Sequence, residues 1–269
     1  METVKQIRTK HPDWQFPDFS ADDIAPKAHK YVVIVFVINE GKKIQKQIKN
    51  MAAFSNQIDI AIADGGSTDD SLEIGYLKKC KVRTLLTKKG PGKLSAQMRM
   101  AFAWALDQGY EGVVVVDGNG KDDIRAIPLF TNKLDEGFDH IQGSRFIPGG
   151  KAINTPLERY LAVRLLHSPL ISLAAHRIHT DTTNGFRAYS RKLLEDSKLA
   201  IFRDVFSTYE LHYYLAIESS LAGNYKLTEV PVTREYPKKG KTPTKISPLK
   251  GNLKVLRILI KASRRGYRP

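Results

Sequence analysis

Residues 113–123 have the sequence Val-Val-Val-Val-Asp-Gly-Asn-Gly-Lys-Asp-Asp, in which an apolar run stops abruptly at a group of carboxylates. Four consecutive valines are typical of a strand buried on both faces, as in a parallel sheet covered by helices. Ligands bind such sheets beyond the carboxyl ends of the strands. Asp and Asn oxygens at that edge suit Mg²⁺ or Mn²⁺, which would hold a diphosphate. The same residues also suit an ordinary polar turn. Neighbouring segments are needed to choose between a metal site and a turn.

The alternation of strands and helices indicates the fold class. Strand and helix alternating at this spacing predict an α/β fold with a doubly wound, mostly parallel sheet and right-handed crossovers. Residues 1–30 lack a clear period, and we expect them to pack over this domain as an extension. Strands are predicted at 31–38, 58–63, 82–86 and 113–116, and helices at 42–54 and 94–108.

Three loops would then meet at one edge of the sheet. They follow the first, second and last of these strands and carry Glu40, Asp64 and Asp117. Gly65 lets the backbone turn tightly after Asp64, and Lys93 comes from a further glycine-bearing loop. Polar loops that converge in this way favour a nucleotide site over a set of unrelated turns.

Composition limits the remaining classes of protein. The chain has 269 residues, of which 42% are hydrophobic and 26% charged, enough for one large folded domain. The single cysteine, Cys80, excludes an internal disulfide framework and a multi-cysteine metal site. No apolar run reaches the roughly 18 to 20 residues of a membrane span, and no signal-peptide pattern is evident. We therefore expect a cytoplasmic protein.

The net charge of +15 is unevenly distributed along the chain. Residues 151–269 contain 22 Lys and Arg against 9 Asp and Glu, a net +13, so residues 1–150 carry only +2. We expect the C-terminal half to meet an anionic partner, which is a phosphate group, an anionic membrane or nucleic acid. A merely solvated surface would not explain why one half takes nearly all of the excess.

Six short motifs occur along the chain in an order that can be compared with known families. They are Val-Ile-Asn-Glu (37–40), Asp-Gly-Gly-Ser-Thr-Asp (64–69), Gly-Lys-Leu-Ser-Ala (92–96), Val-Val-Asp-Gly-Asn (115–119), Gly-Ser-Arg-Phe (143–146) and Asn-Gly-Phe-Arg (184–187). Their order and spacing resemble the family 2 glycosyltransferases of GT-A fold, and most of all the polyprenyl-phosphate sugar synthases of the dolichyl-phosphate mannose synthase type. The resemblance covers roughly residues 31–236 and rests on the ordered set, since each motif alone is unspecific.

The resemblance implies a hexosyl- or N-acetylhexosaminyl-transferase that uses a UDP- or GDP-linked sugar at the cytosolic face of a membrane. In that family the carboxylate matching Asp64 binds the nucleobase, and the Asp-x-Asp motif binds a metal that neutralises the departing diphosphate. Arg145 and Arg187 match arginines suited to bidentate phosphate contacts. The implied donor-binding residues are Val37, Asn39, Glu40, Asp64, Gly65, Lys93, Asp117, Gly118, Asn119 and Arg145.

The metal motif departs from the family pattern. The usual Asp-x-Asp is Asp117-Gly118-Asn119 here, so the second ligand would be a neutral amide oxygen. Asp122 can supply the missing charge, which gives Asp117, Asn119 and Asp122 as predicted ligands of Mg²⁺ or Mn²⁺. Alternatively, Lys121, at a position where these synthases often carry Gln, pairs with phosphate and weakens the need for a metal. The sequence leaves both alternatives open.

Two later segments have helical patterns. Segment 157–173 has apolar residues at 157, 161, 165, 166, 170 and 173, which is typical of core or of a face packed on another helix. Glu210 opens an apolar helix in a neighbourhood where inverting glycosyltransferases can place a general base. The predicted catalytic residues are Asp117, Arg187 and Glu210. A phosphate acceptor needs no base, however, and Glu210 equally suits the N-terminus of a helix, while His212 is interpreted as structural.

A basic region follows the strand predicted at 225–232. It resembles the family element that closes over an acceptor phosphate, although Ser is replaced and Pro243 intrudes. The predicted phosphate ligands are Arg187, Arg234, Lys241 and Lys245, with a solvated linker as the equal alternative. Residues 249–265 form a predicted amphipathic helix with a basic stripe. That helix suits the headgroup region of an anionic membrane, or docking of its apolar side on the domain.

We expect an extension at 1–30, a GT-A domain at 31–248 and a basic C-terminal segment at 249–269. The expected reaction is metal-assisted transfer of a sugar from a nucleoside diphosphate sugar to a polyprenyl or other lipid phosphate, by a peripheral protein. Two alternatives stay open. One is transfer to a hydroxyl of a glycan, protein or nucleic acid with Glu210 as base, and the other is a non-catalytic basic module that holds nucleic acid.

Overall fold

The computed structural model of the chain describes residues 2–238 and 250–269. These residues form one large sheet of eight strands and a separate pair of short strands. The strands are, in chain order, β1 Phe19–Asp23, β2 Tyr31–Val37, β3 Asp59–Asp64, β4 Thr84–Lys88, β5 Gly112–Asp117, β6 His140–Ser144, β7 Lys151–Ile153, β8 Arg187–Ser190, β9 Leu227–Pro231 and β10 Thr233–Glu235.

Helices connect the strands and lie on both faces of the large sheet. A wide π turn, Val163–His167, joins α6 to α7 without a break, and 3₁₀ turns occur at Ala52–Phe54 and Ile124–Ala126. The helices are α1 Glu2–Lys10, α2 Lys42–Met51, α3 Ile74–Lys79, α4 Leu94–Asp107, α5 Ile127–Asp135, α6 Leu157–Ala162, α7 Ser168–Ala175, α8 Arg191–Leu194, α9 Glu210–Leu221 and α10 Lys250–Ser263.

The strand order across the large sheet is β1-β4-β3-β2-β5-β8-β6-β9. The four strands β2 to β5 are parallel, and β6 is parallel to β9, whereas β1 and β8 run antiparallel to their neighbours. The prediction of a mostly parallel sheet is confirmed. Asp64 lies opposite Val37 and Asp117 lies opposite Phe36 in the sheet register. The two predicted carboxylates therefore flank the end of β2 at one edge.

The sheet is buried on both faces because each strand alternates its side chains between two apolar layers. One layer includes Val32 and Ile34 and packs with α4 and α9. The other includes Val33 and Val35 and packs with α2 and α5. This double burial explains why the strands have uninterrupted apolar sequences, and it fixes the strand ends that carry the polar loops.

The first thirty residues complete one edge of the sheet. β1 pairs antiparallel with β4, and α1 packs against α4 with Val4 and Ile7 buried. Trp14 stacks on both His11 and Phe202, with ring centroids 3.7 and 4.0 Å apart. The extension thus packs on the domain as expected, but it also supplies an edge strand that its aperiodic sequence did not indicate.

The continuous helix made of α6, the π turn and α7 differs from the expectation of a core helix. Val163, Ile171 and Ala175 are buried, but most of the leucines that formed the predicted apolar face are exposed. Helical spacing shows only that a helix has an apolar side, because the pattern is the same whether that side meets the protein core or another partner. The segment is therefore core only in part, and α7 packs on α9 and α10, as the helix-packing alternative allowed.

The C-terminal helix α10 packs part of its apolar side on the domain. Ile258, Leu259 and Ala262 are buried, and the helix contacts α7 and α9. Arg265, which belonged to the predicted basic stripe, donates to both carboxylate oxygens of Glu218 at 3.0 and 2.9 Å. The described part of the helix thus fits the docking alternative. Its membrane role and the domain limits at 31 and 248 stay predictions.

Buried histidines make stability dependent on pH. Burial first, with Arg177 and Arg187 nearby, lowers the pKa of His179 to about 4 from its ordinary 6.5. The unfolded chain takes up this proton near pH 6.5 and the folded chain does not, so stability present above pH 6.5 is lost as pH falls toward 4. We expect His179 alone to lower the free energy of unfolding by about 2 kcal/mol between pH 7 and pH 5.

Urea denaturation of the wild type and of His179→Gln at these two pH values measures that contribution. Gln can keep a hydrogen bond to Ser220, which lies 3.1 Å from the His179 Nε2 atom. The loss of stability between pH 7 and pH 5 should be smaller in the variant by about 2 kcal/mol. His176→Gln, at an exposed position, is the matched control. Equal losses in His179→Gln and the wild type would contradict the assignment.

Candidate functional site

A cleft of about 1400 Å³ opens at the carboxyl edge of the large sheet. Both the predicted donor loops and the helices of the C-terminal half line it. Among the predicted site residues, those that line the cleft are Val37, Asn39, Glu40, Gly65, Lys93, Asp117, Gly118, Asn119, Arg145, Arg187 and Arg234. Sequence interpretation assigned no site role to several other lining residues, among them Lys43, Lys88, Arg159, Tyr209 and Tyr236.

Asp64 is buried behind the cleft wall and holds the loop that follows β3. Its carboxylate accepts hydrogen bonds from the Ser67 amide at 3.0 Å and from the Ser67 hydroxyl at 2.6 Å. Gly65 is close-packed, since a Cβ atom there would lie 3.0 Å from the Gln97 amide nitrogen. Asp64 therefore shapes the turn directly, and the predicted contact of Asp64 with a nucleobase stays a proposal.

The loops after β2 and β3 are hydrogen-bonded to each other. The Asn39 amide donates to the Ser67 hydroxyl at 2.9 Å, and the Asn39 side chain accepts from the Thr68 amide at 2.8 Å. Asn39 has a φ of 49°, a left-handed conformation that Asn tolerates better than most residues. These bonds fix the wall of the cleft before any ligand binds.

Two buried glutamines, which sequence interpretation missed, hold the strand ends in place. Gln97 on α4 donates to the carbonyls of Val37 and Ala63 at 3.0 and 3.1 Å. Gln47 on α2 donates to the Asp117 carbonyl and accepts from the Gly120 amide, each at 2.9 Å. The available signal was a polar residue on the apolar side of an amphipathic helix.

Arg234 links two carboxylates of the central segment. Its Nη2 lies 3.0 Å from Asp117 Oδ2, and its Nη1 pairs with Asp122 Oδ2. The Asp122 side chain is fully buried, whereas that of Asp117 is 27% exposed. Burial alone would lower the pKa of Arg234, but Asp122 and Asp117 raise that pKa above its ordinary value. Arg234 is therefore a fixed cation at the floor of the cleft.

The predicted metal ligands are only partly brought together. Asp122 is wrong as a ligand, because its buried carboxylate faces Arg234 and not the cleft. The Asn119 amide nitrogen lies 3.3 Å from Asp117 Oδ2, so the other two side chains are adjacent. No three His, Cys, Asp or Glu side chains cluster as a metal site within residues 2–238 and 250–269. Asp117 and Asn119 remain, and this small set suits Mg²⁺, which proteins commonly hold together with substrate phosphates.

Arg187 is hydrogen-bonded to the backbone of two segments. Its guanidinium is buried and donates to the carbonyls of Asn184, Thr182 and His212 at 3.0, 2.8 and 2.9 Å. These bonds tie the loop before β8 to helix α9. Arg187 also lines the cleft, so its predicted roles in catalysis and phosphate binding stay predictions.

Arg145 is held in a similar way. Its Nε and Nη2 atoms pair with the Asp181 carboxylate at 2.6 and 2.9 Å, and Nη2 also lies 3.0 Å from the Thr183 hydroxyl. Both partners belong to a loop about 36 residues away, which no local motif could indicate. Arg145 thus supports the wall that it lines, and its predicted contact with the donor stays a prediction.

Glu210 opens helix α9 and holds the loop that precedes it. Its carboxylate accepts from the amides of Ser207 and Thr208 at 3.0 and 2.5 Å and from the Thr208 hydroxyl at 2.5 Å. It is buried and does not line the cleft. Glu210 thus lies in the first turn of its helix, as the helix-terminus alternative predicted. Its role as a general base stays a prediction.

Basic side chains surround one aromatic ring at the cleft. The Lys121 ammonium and the guanidinium carbons of Arg159 and Arg234 lie 5.2, 5.8 and 6.0 Å from the ring centroid of Tyr236. Burial raises the pKa of the Tyr236 hydroxyl, but Arg234 and Arg145 lower it by more, so that pKa lies below its ordinary value. This cationic group can receive phosphate charge. Lys241 and Lys245, also predicted to bind phosphate, lie outside the described residues.

Comparison with known proteins agrees with this geometry. The model of the family described as glycosyl transferase family 2 matches residues 32–197. Polyprenol monophosphomannose synthase of Mycolicibacterium smegmatis is 27% identical over 209 residues, 75% of this chain and 76% of that protein. Undecaprenyl-phosphate mannosyltransferase of Micrococcus luteus is 26% identical over 213 residues, 76% of this chain and 83% of that protein.

A solved structure with the same fold is glucosyl-3-phosphoglycerate synthase of Mycobacterium tuberculosis in complex with Mn²⁺, UDP and phosphoglyceric acid. It aligns with a TM-score of 0.63 at 16% identity and covers 99% of this chain and 83% of that chain. Another complex of that enzyme contains Mg²⁺ and UDP and aligns with a TM-score of 0.57 over 97% of this chain and 83% of that chain, at 15% identity.

Removing the Arg234 charge should destabilise the fold, because Asp122 would be left buried without its partner. We expect Arg234→Met to lower the free energy of unfolding by about 3 to 5 kcal/mol in urea denaturation at pH 7. Arg125→Met is the matched control, since Arg125 pairs with Asp123 but is exposed, and such pairs contribute little.

The double variant Asp122→Asn/Arg234→Met separates charge from packing. Its loss of stability should be smaller than that of Arg234→Met alone, since no buried charge then lacks a partner. An Arg234→Met variant as stable as Arg125→Met would contradict the importance of this bridge.

Proposed function

The chain belongs to glycosyl transferase family 2, and we propose that it transfers a sugar from a nucleoside diphosphate sugar to a polyprenyl phosphate. Membership and the structural likeness make it a glycosyltransferase of GT-A fold. The observation that carries the acceptor proposal is the two-sided character of the cleft. The loops at the sheet edge and β10 bring the carboxylate and cationic groups described above, and the helices of the C-terminal half bring most of the apolar lining, which we take as the acceptor end.

The donor would occupy the end formed by the loops after β2, β3 and β5. Val37, Gly65 and the neighbouring backbone provide a close-packed wall for a nucleoside. The diphosphate would lie toward Asp117 and Asn119, with Lys93 exposed at the N-terminus of α4. That helix terminus also favours a negative charge. The choice between uracil and guanine is open in this geometry.

Asp117 and Asn119 would hold a divalent cation such as Mg²⁺ or Mn²⁺, which supplies Lewis-acid stabilisation of the departing diphosphate. The protein's own residues carry the remaining charge balance. Arg234 is fixed beside Asp117, and Lys121 lies within the same group over Tyr236. Fixed cations in a partly buried cleft stabilise developing negative charge more than mobile ions in water do.

The acceptor end is lined by apolar residues from three helices. An isoprenoid chain needs such a surface, and its phosphate would lie toward Arg159 and Arg234 at the boundary with the polar end. The names of the two curated relatives support this acceptor class. The residues that form this apolar end are Ala162, Val163, Leu166, Tyr213, Leu253, Val255 and Leu256.

The proposed reaction is a direct displacement at the anomeric carbon with inversion. An oxygen of the acceptor phosphate forms the new bond as the bond from that carbon to the donor's diphosphate oxygen breaks. The attacking phosphate oxygen is already ionised at pH 7, so no proton must be removed. This is consistent with the Glu210 carboxylate being buried and bonded to the amides of Ser207 and Thr208, which argues against a hydroxyl acceptor activated by that residue.

Nucleotide binding should be visible as thermal stabilisation. We expect UDP or GDP, with Mn²⁺ or Mg²⁺, to raise the melting temperature, because a ligand that binds only the folded state stabilises it by mass action. At a concentration a hundredfold above Kd the gain would be about 3 kcal/mol. EDTA and Asp117→Asn should each reduce the shift.

Asp123→Asn is the matched control for Asp117→Asn. Asp123 is in the same segment but pairs with Arg125 and does not line the cleft. It should keep the wild-type shift. A shift that is equal in EDTA would remove the metal role of Asp117 and Asn119 and leave donor binding intact. Absence of any shift with every nucleotide would argue against the transferase.

The acceptor class is tested by transfer of a radiolabelled sugar. We expect label from UDP- or GDP-sugar to enter a product that partitions into organic solvent when a short, water-soluble isoprenyl phosphate is supplied. The corresponding isoprenol, which has a hydroxyl in place of the phosphate, is the control and should give none. Transfer to the isoprenol or to an oligosaccharide instead would contradict the phosphate acceptor.

A further inference from the structure

The helix made of α6, the π turn and α7 exposes leucines to an unusual extent. We define the leucine stripe as Leu157, Leu161, Leu165 and Leu173, whose exposed fractions are 71%, 43%, 72% and 76%. Single exposed leucines are common in folded proteins, but several on one helix mark an interaction surface. A helix that packed its apolar side on the core would have buried them.

The π turn keeps these leucines together. Residues four apart advance by about 40° around a regular α-helix, so a stripe with that spacing would drift around the helix. The wider turn at Val163–His167 reduces the rotation per residue. Leu165 and Leu173 consequently stay on the exposed side that Leu157 begins.

The opposite side of the same helix is part of the cleft wall. Ala162, Val163, Leu166 and His167 line the cleft, and Val163 is buried. The helix therefore separates the acceptor end of the cleft from the leucine stripe. Whatever the stripe contacts lies within one helix diameter of the proposed acceptor, about 10 Å.

The exposed charged residues near the stripe are mostly basic, with Glu158, next to Leu157, the acidic residue on this helix. Arg164 is exposed on the same helix, between stripe residues. Lys254 and Arg257 are exposed on α10, and that helix contacts α7. Leu253 on α10 is also exposed, at 53%, and lines the cleft. Apolar side chains beside Arg and Lys are the composition of a helix that lies in an anionic headgroup region.

We propose that the leucine stripe is the surface that contacts an anionic lipid bilayer, with the mouth of the cleft against the headgroups. The occupant is the bilayer itself because apolar and basic residues alternate there and the cleft behind them has an apolar end. The inference rests on the proposed function in one respect, since a lipid phosphate acceptor requires access from a membrane. The membrane contact is then made by the helix at 157–175. The C-terminal helix is less suited to it, because Ile258, Leu259 and Ala262 are buried.

This surface would supply a peripheral contact. No helix in the described part of the chain has the length and apolar character needed to cross a bilayer. A helix lying in the interface inserts its side chains only about 5–10 Å, and binding of this kind strengthens with anionic lipid and weakens with salt.

Vesicle flotation of the full chain tests the surface. We compare the wild type with Leu157→Ser/Leu161→Ser/Leu165→Ser on vesicles of phosphatidylcholine alone or with phosphatidylglycerol. These three leucines do not line the cleft. The control is Ile74→Ser/Leu129→Ser, two exposed apolar residues, 44% and 39% exposed, on other helices. Circular dichroism and the melting temperature confirm that each variant is folded.

We expect the wild type and the control to float with anionic vesicles and the stripe variant to bind at least tenfold more weakly. Equal flotation of the stripe variant and the wild type would overturn the proposal. A second result would also overturn it: the wild type does not float, and light scattering shows a dimer that the stripe substitutions convert to monomer. In that case the partner would be a second copy of the chain.

Assays of sugar transfer show whether a failure concerns the membrane surface or the proposed function. The stripe variant should keep transfer to the water-soluble isoprenyl phosphate and lose most transfer to a long-chain acceptor embedded in vesicles. Loss of both in a folded variant would overturn the surface role, since the stripe would then act on the cleft. A wild type that binds vesicles but transfers to neither acceptor would refute the proposed function and leave the membrane surface standing.

Discussion

The bridge from Arg234 to Asp117 and Asp122 is the interaction on which the rest of the site depends. It connects the segment after β5 to β10, and the main chains of both are also joined, with the Asp123 amide 2.9 Å from the Thr233 carbonyl. A fully buried Asp122 is tolerable only because Arg234 neutralises it. The exposed face of Asp117 is what remains for a ligand. The proposed donor and acceptor parts of the cleft thereby share one charge network.

This network gives the cleft a consistent electrostatic design. The carboxylates of Asp117 and Asp122 lie at and just beyond the end of β5, and Arg234 from the C-terminal half pairs with both. The ends of β2 and β5 are fixed before a ligand binds, because Gln97 and Gln47 tie them to helices. A diphosphate would therefore meet preorganised groups, and the apolar helices beyond them would receive a lipid chain.

The sequence predicted the parts of the fold and site that depend on local pattern. Apolar runs that end in Asp located Asp64 and Asp117 at one sheet edge, since strand direction fixes where parallel strands end. It failed where partners are distant or patterns are ambiguous. It did not indicate that Arg145 pairs with Asp181 or that Arg187 donates to three backbone carbonyls. Periodicity gave the helix at 157–173 but could not say whether its leucines are buried in the core or exposed.

The most direct test of the central claim is a crystal structure of the chain with UDP or GDP and Mn²⁺. We expect the diphosphate beside Asp117 and Asn119, within hydrogen-bonding distance of Lys93 or Arg234, and the nucleobase against the loop after β3. A nucleotide bound outside this cleft, or one whose diphosphate points away from Asp117, would contradict the assignment of the sheet edge as the donor site.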